Sequence, residues 1–196
     1  MRPQDYAINL VLSVILIVGT YQFYFFTQRF QLARVRSFNT RVDDLIPFQP
    51  AWVWIYSFLY YPAILYLNLI AQNQRHFVLM AFSFMVLLFM QMACFMLFPV
   101  STPEHWRKFD GEQGLSARFL KFVHKFDAST NCFPSMHVSV ATLTALHAIQ
   151  YLGPWSYLFP LAIGVSCLFT KQHYLVDLPF GAVLGWLAYA AYEALV

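Results

Sequence analysis

Two histidines and an aspartate in the second half of the chain have the types and spacing that chemistry needs. His173 and Asp177 are four residues apart, so a helix starting near Gln172 would place both side chains on one face, one turn apart. A carboxylate so placed accepts the proton on one imidazole nitrogen and fixes the tautomer, leaving the other nitrogen as a nucleophile or base. His137 lies 36 residues before His173 and directly follows Pro134, Ser135 and Met136. A helix start there offers unpaired backbone amides and a hydroxyl to an anion. Lys171 adds a point charge two residues before His173. An oriented imidazole, a second imidazole as general acid and an anion cradle are what phosphoryl transfer through a phosphohistidine requires.

The elements that must hold these groups are set by composition. Of 196 residues, 60% are hydrophobic, 19% aromatic and 11% charged. Soluble domains run near 25% charged, so a water-facing globule and a disordered chain are both excluded. Windows of about 20 apolar residues suit helices that cross a bilayer. Six occur, approximately Tyr6 to Thr27, Ala51 to Ala71, Phe77 to Phe98, Met136 to Leu152, Trp155 to Thr170 and Leu175 to Ala194. They are too continuous for barrel strands of about ten alternating residues. The predicted fold is an all-α, six-helix transmembrane bundle forming a single integral membrane domain over residues 1–196, with the catalytic elements within 99–186. The first run is read as a span rather than a signal peptide, because it exceeds a 7 to 15 residue core and no small-x-small site follows it. Cys94, Cys132 and Cys167 have no paired spacing, so no disulfide framework is expected, and Cys94 and Cys167 read as small apolar packers.

Two charged linkers join these windows. The stretch from Arg29 to Pro50 interleaves basic residues with Phe30, Leu32 and Val35, which predicts an interfacial amphipathic helix between the first two spans. Trp52 and Trp54 would anchor the second span at headgroup depth, and Asp43 and Asp44 would cap or tether it. The stretch from Ser101 to Asn131 holds Arg107, Lys108, Asp110, Glu112, His124 and Asp127, and a connection this long is usually functional. With six alternating spans, ten of the twelve basic residues fall on the side of the two linkers and Lys171. The positive-inside rule puts that side in the cytoplasm. Cations kept for a phosphorylated substrate would add to the same count.

The Pro134-Ser-Met-His137 run followed by His173-x-x-x-Asp177 resembles the type 2 phosphatidic acid phosphatase superfamily, over roughly Pro99 to Trp186. The resemblance implies a metal-independent enzyme without a cofactor. His173 would be the nucleophile, Asp177 its orienting carboxylate and His137 the general acid, with Ser135 holding a phosphate oxygen. It also implies a lipid phosphate substrate and membrane lipid partners in a multi-pass protein of the cell (inner) membrane, with no nucleic acid. Three departures stand against the usual motifs. Met136 replaces a glycine, Cys167 occupies an arginine position after Ser166, and a first motif of lysine followed by Arg-Pro is absent. Lys171 with Arg107 or Lys108 would substitute as phosphate-binding cations. The pattern resembles the sphingomyelin and inositol phosphorylceramide synthase branch more than the plain phosphatases.

Three functions stay open at this level. One is a lipid phosphatase and the second a head-group or phosphoryl transferase with a lipid alcohol as acceptor. The third is a non-catalytic membrane carrier or scaffold with a degenerate site. His137, His173 and Asp177 would also suit a two-histidine, one-carboxylate metal site, but the neighbouring Lys171 and Ser135 fit an anion better. His147, almost three turns beyond His137, reads as a hydrogen-bonded core residue, and His105 and His124 read as solvated loop residues.

Overall fold

The computed structural model describes residues 1–111 and 114–196, and Glu112 lies outside them. The described residues are helical without a strand, their only extended pairings being the bridges Arg36 to Val100 and Val100 to Asn131. Helix α1 (Pro3–Arg29) starts with proline in its first turn, and the Asp5 carboxylate accepts from the Arg2 backbone amide at 2.8 Å. Its buried residues are the polar Asn9, Ser13 and Thr27, while Ile8, Val11, Ile15 and Val18 point outward. This inversion is what a lipid solvent selects, because between helices polar groups find partners that hydrocarbon cannot supply. Ser13 donates to Asn68 at 3.2 Å, and Asn131 donates to Thr27 at 2.8 Å.

The chain continues through a short α2 (Arg41–Leu45), α3 (Val53–Phe58), α4 (Tyr60–Ile70) and α5 (Gln74–Leu97). After a second long connection come the helices α6 (Leu115–Phe126), α7 (Met136–Leu152), α8 (Leu158–Phe169) and α9 (Asp177–Glu193). Among the described residues, four helical stretches are long and apolar enough to cross a membrane: Pro3–Arg29, Pro50–Ile70, Gln74–Leu97 and Met136–Phe169. The last of these folds back on itself. Gly153 adopts a positive φ of 57°, and the return brings Ile163 and Cys167 of α8 into one core with Val138 and Ala141 of α7. Helix α9 is 17 residues long, or about 25 Å at 1.5 Å per residue.

Helix α9 lies unusually close to α7. A Cβ on Gly181 would sit 2.5 Å from the Ser135 carbonyl oxygen, and one on Gly185 would collide with that of Ser139. The Gly181-x-x-x-Gly185 pair thus lets two backbones meet, the packing mode of small residues in membrane helices. Buried Gln91 of α5 fastens the same region, donating to the Pro134 carbonyl at 2.6 Å and accepting from Ser139 at 3.2 Å.

The amphipathic helix is not where the sequence pattern puts it. Residues 30–40 form no helix and are held by Leu32 N to Met96 O, Arg36 N to Pro99 O and Ser101 N to Arg36 O, each at 2.9 Å. Extended pairing satisfies backbone groups that a surface helix would satisfy internally, and a short apolar and basic run does not separate the two. The amphipathic element is α6, between α5 and α7. Its Phe119 stacks on Trp54 at 4.9 Å and on Phe58 at 5.5 Å, and Trp54 donates to Ser116 at 2.9 Å. Trp54 therefore ties α6 to α3.

Candidate active site

The turn from Thr170 to Val176 and the start of α7 meet under a cap made by the two long connections. Val100, Trp106, Cys132 and Tyr174 form the cap's core, with Phe38 and Phe133 packed against it. Asp43 ties α2 to the turn by accepting from Leu175 N at 2.8 Å, and its side chain also closes the capping box with Thr40. The tether foreseen for the second span thus serves the turn that carries His173.

His173 is 5% exposed and Asp177 fully buried. Nδ1 of His173 lies 2.8 Å from the Cys132 carbonyl oxygen and 3.3 Å from Asp177 Oδ2. A carbonyl only accepts, so Nδ1 carries the proton and Nε2 is left with its lone pair. Asp177 Oδ2 is fixed in turn by the Tyr174 amide and the Cys132 thiol, both at 2.8 Å. Burial, reinforced by the charge of Asp177, pushes the Cys132 thiol well above the ordinary thiol range. It therefore stays protonated and donates. Asp177 begins α9, and Ser135 N donates to its backbone carbonyl at 3.1 Å, so the two helix starts are locked together.

His137, in the first turn of α7, faces His173 with ring centroids 5.7 Å apart and stacks on Tyr56 at 4.2 Å. Its Nδ1 is buried without a hydrogen-bond partner. Ser135 caps α7, its hydroxyl accepting from Val138 N at 3.3 Å. A small polar cleft borders both histidines together with Tyr24, Asp127, Asn131 and Gln172. A larger cavity of about 400 Å³ adjoins it, sharing Tyr24, Tyr56, Asp127 and His137 and running between α1, α4, α5, α6 and α7 past Leu16, Ile64 and Phe84. The pair of imidazoles thus stands where an apolar channel becomes polar.

Of the residues expected at the site, the structure brings together His137, His173, Asp177 and Ser135, and it turns the cations elsewhere. Lys171, at a positive φ of 58°, points its ammonium at the Asp43 carbonyl and lies 4.7 Å over the Trp106 ring. Burial lowers its pKa, opposed by Asp44 and Asp43. Lys108 pairs with Glu104 at 3.4 Å on the surface. Arg107 holds Asp127, through the carbonyl at 2.6 Å and the carboxylate at 2.8 Å, and so borders the cleft only through that partner. Each expected substitute is satisfied by a nearby carboxylate or carbonyl, a pairing that spacing along the chain does not reveal.

Sequence reasoning missed other groups here. Asp127 accepts from Tyr24 at 3.0 Å, from Gln28 and from Ser129 N as well as from Arg107. Burial raises its pKa, but Arg107 and these donors outweigh it and hold the carboxyl below its usual range. His124, read as solvated, pairs with Gln172 beside His173. Burial and the nearby Arg107 lower its pKa to about 4. The usable signal was the amphipathic period of α6, which turns one face inward. Cys167 is fully buried with its sulfur in a cluster with the two histidines. By contrast, His147 sits in the core against Ser83 at 2.9 Å, as expected.

Helices with outward apolar faces, and two facing imidazoles at the end of an apolar channel, define a membrane protein with a histidine-based candidate site. The profile of the PAP2 superfamily matches residues 22–191. The chain belongs to that superfamily. No curated protein and no solved structure matches it.

Proposed function

We propose that this chain is an integral membrane lipid phosphatase or phosphotransferase that works through a phosphohistidine on His173. The observation that carries the reading is the double restraint on Nδ1 by Cys132 and Asp177, which leaves Nε2 as a lone pair beside His137. Nε2 attacks the phosphorus of a lipid phosphoester, and the bond from phosphorus to the lipid oxygen breaks. His137 gives its proton to that leaving oxygen. An acceptor hydroxyl then attacks the phosphohistidine, passing its proton to His137, and Nε2 leaves with its lone pair restored. Asp177 stabilises the charge that His173 develops. The apolar cavity next to His137 would hold the lipid chain.

Arg107 is the one expected cation retained in this reading, since a phosphate entering the cleft competes with Asp127 for it. Six spans are the proposed membrane arrangement, with α7, α8 and α9 as three short passes. The site then lies on the side with ten of the twelve basic residues, the cytoplasmic face of a cell membrane by the positive-inside rule.

A lipid alcohol as acceptor is the second reading. Tyr21, Tyr60 and Tyr61 form a hydroxyl cluster inside the apolar cavity, and Tyr60 meets His137 edge to face at 5.7 Å. Such a cluster can orient a hydroxyl in an otherwise apolar channel. The test is phosphate release from a panel of lipid phosphates by purified protein in detergent with EDTA, with and without added lipid alcohols. Release that vanishes in His173→Ala supports hydrolysis, and a phosphorylated or head-group-bearing alcohol supports transfer. Neither product from folded protein would leave the carrier or scaffold reading in place.

A further inference from the structure

We infer that His137, Cys167 and His173 form a binding site for a thiophilic divalent cation such as Zn²⁺, superimposed on the imidazole pair. One ligand atom from each residue lies within 4.8 Å of the other two. Around tetrahedral zinc, with Zn–N of about 2.0 to 2.1 Å and Zn–S of about 2.3 Å, ligand atoms are roughly 3.4 to 3.7 Å apart. Closing this triangle takes a movement of about 1 Å.

The surroundings favour a cation. Lys171, the charge expected to repel one, is bound to the Asp43 carbonyl, and Arg107 is neutralised by Asp127. What faces the imidazoles instead is the Cys167 sulfur, with the Asp177 carboxylate behind His173. His137 brings a buried ring nitrogen that has no partner. His173 Nδ1 is engaged by the Cys132 carbonyl and Asp177, so Nε2 is the nitrogen that a cation would take, already oriented from behind in the manner of a metal-bound imidazole. Binding exchanges the thiol proton for the metal: the sulfur–hydrogen bond breaks, the sulfur–zinc bond forms, and the proton goes to solvent. Water completes the coordination.

The consequence for catalysis rests on the proposed phosphohistidine reading: the cation occupies the lone pair that would attack phosphorus, so Zn²⁺ inhibits and EDTA restores. Binding itself does not depend on that reading. The experiment is equilibrium titration of the full-length protein in detergent with Zn²⁺, repeated with Co²⁺ to look for the thiolate-to-metal absorption band. Wild type is expected to bind one equivalent. Cys167→Ala should weaken binding by more than about 100-fold, since even changes behind the ligands cost 10- to 100-fold, and should abolish the band. Cys94→Ala should bind as wild type. Helical circular dichroism checks that each variant is folded. No binding by wild type, or equal binding by folded Cys167→Ala, overturns the site even if lipid phosphatase activity is found. Inactive protein that still binds one equivalent through Cys167 would keep the site and discard the phosphatase reading.

Discussion

At the scale of single residues, the account turns on how the His173 ring is held. The Cys132 carbonyl is nearer to Nδ1 than the Asp177 carboxylate is, at 2.8 against 3.3 Å. Loss of the carboxylate charge alone should therefore leave the tautomer intact. Asp177→Asn is expected to lower kcat by less than the ~10⁴-fold seen where the carboxylate alone sets the tautomer. His173→Ala should remove at least ~10³-fold, and His137→Ala ~10² to 10⁴-fold as a lost general acid. Steady-state rates for the three variants check the order; an Asp177→Asn loss equal to that of His173→Ala would contradict it. Because one imidazole must be neutral and the other protonated, kcat/KM should be bell-shaped in pH, and a profile without two limbs would count against two catalytic imidazoles. His173, Asp177 and His137 were legible from spacing as a group, but the helix expected to start near Gln172 begins only at Asp177, so His173 meets the carboxylate from the preceding turn rather than from one helix face. The carbonyl and thiol of Cys132 were not, since they arrive 41 and 45 residues away in sequence through a turn with no motif of its own.

At the scale of elements, the close crossing of α7 and α9 places the first turn of α7 against the turn that carries His173. Gly181→Val would push a side chain into the Ser135 carbonyl and move the helix start holding His137 relative to Asp177. Overpacking of this kind costs about 1 to 3 kcal/mol. Thermal unfolding in detergent should show that loss together with a drop in kcat, whereas Gly19→Val, on open surface of α1, should change neither. An unchanged kcat in Gly181→Val would detach the crossing from the site. Helix positions were readable from apolar windows because lipid demands continuous runs. The amphipathic helix was misplaced because residues 30–36 carry the right composition, but their backbone is committed to residues 96–101. Gly181-x-x-x-Gly185 stood in the sequence as a small-residue pair whose partner helix no local pattern could name.

At the scale of the whole molecule, a cap of connections closes one end of a lipid-facing bundle over the site, and its buried charges predict how acid loosens it. His124, with its pKa lowered to about 4, binds fewer protons folded than unfolded between about pH 4 and 6.5. Stability should therefore rise with pH across that window and fall on acidification. Asp127, held below its usual range, acts in the same direction at lower pH, its contribution disappearing once the folded carboxyl protonates. The thermal midpoint should drop between pH 6.5 and 4, less steeply in His124→Gln, and an identical slope in that variant would remove His124 from the account. The family was legible from two short motifs. The redirected cations and the clustered thiols were not, because which charges satisfy one another is decided by tertiary contacts. The most direct test of the central claim is to mix the protein with a lipid phosphate labelled in its phosphoryl group, quench rapidly in alkali, and map the label. The account predicts an acid-labile, alkali-stable phosphoryl group on the peptide containing His173, absent in His173→Ala. Turnover without any such labelled peptide under these conditions, or a label on another residue, would contradict it.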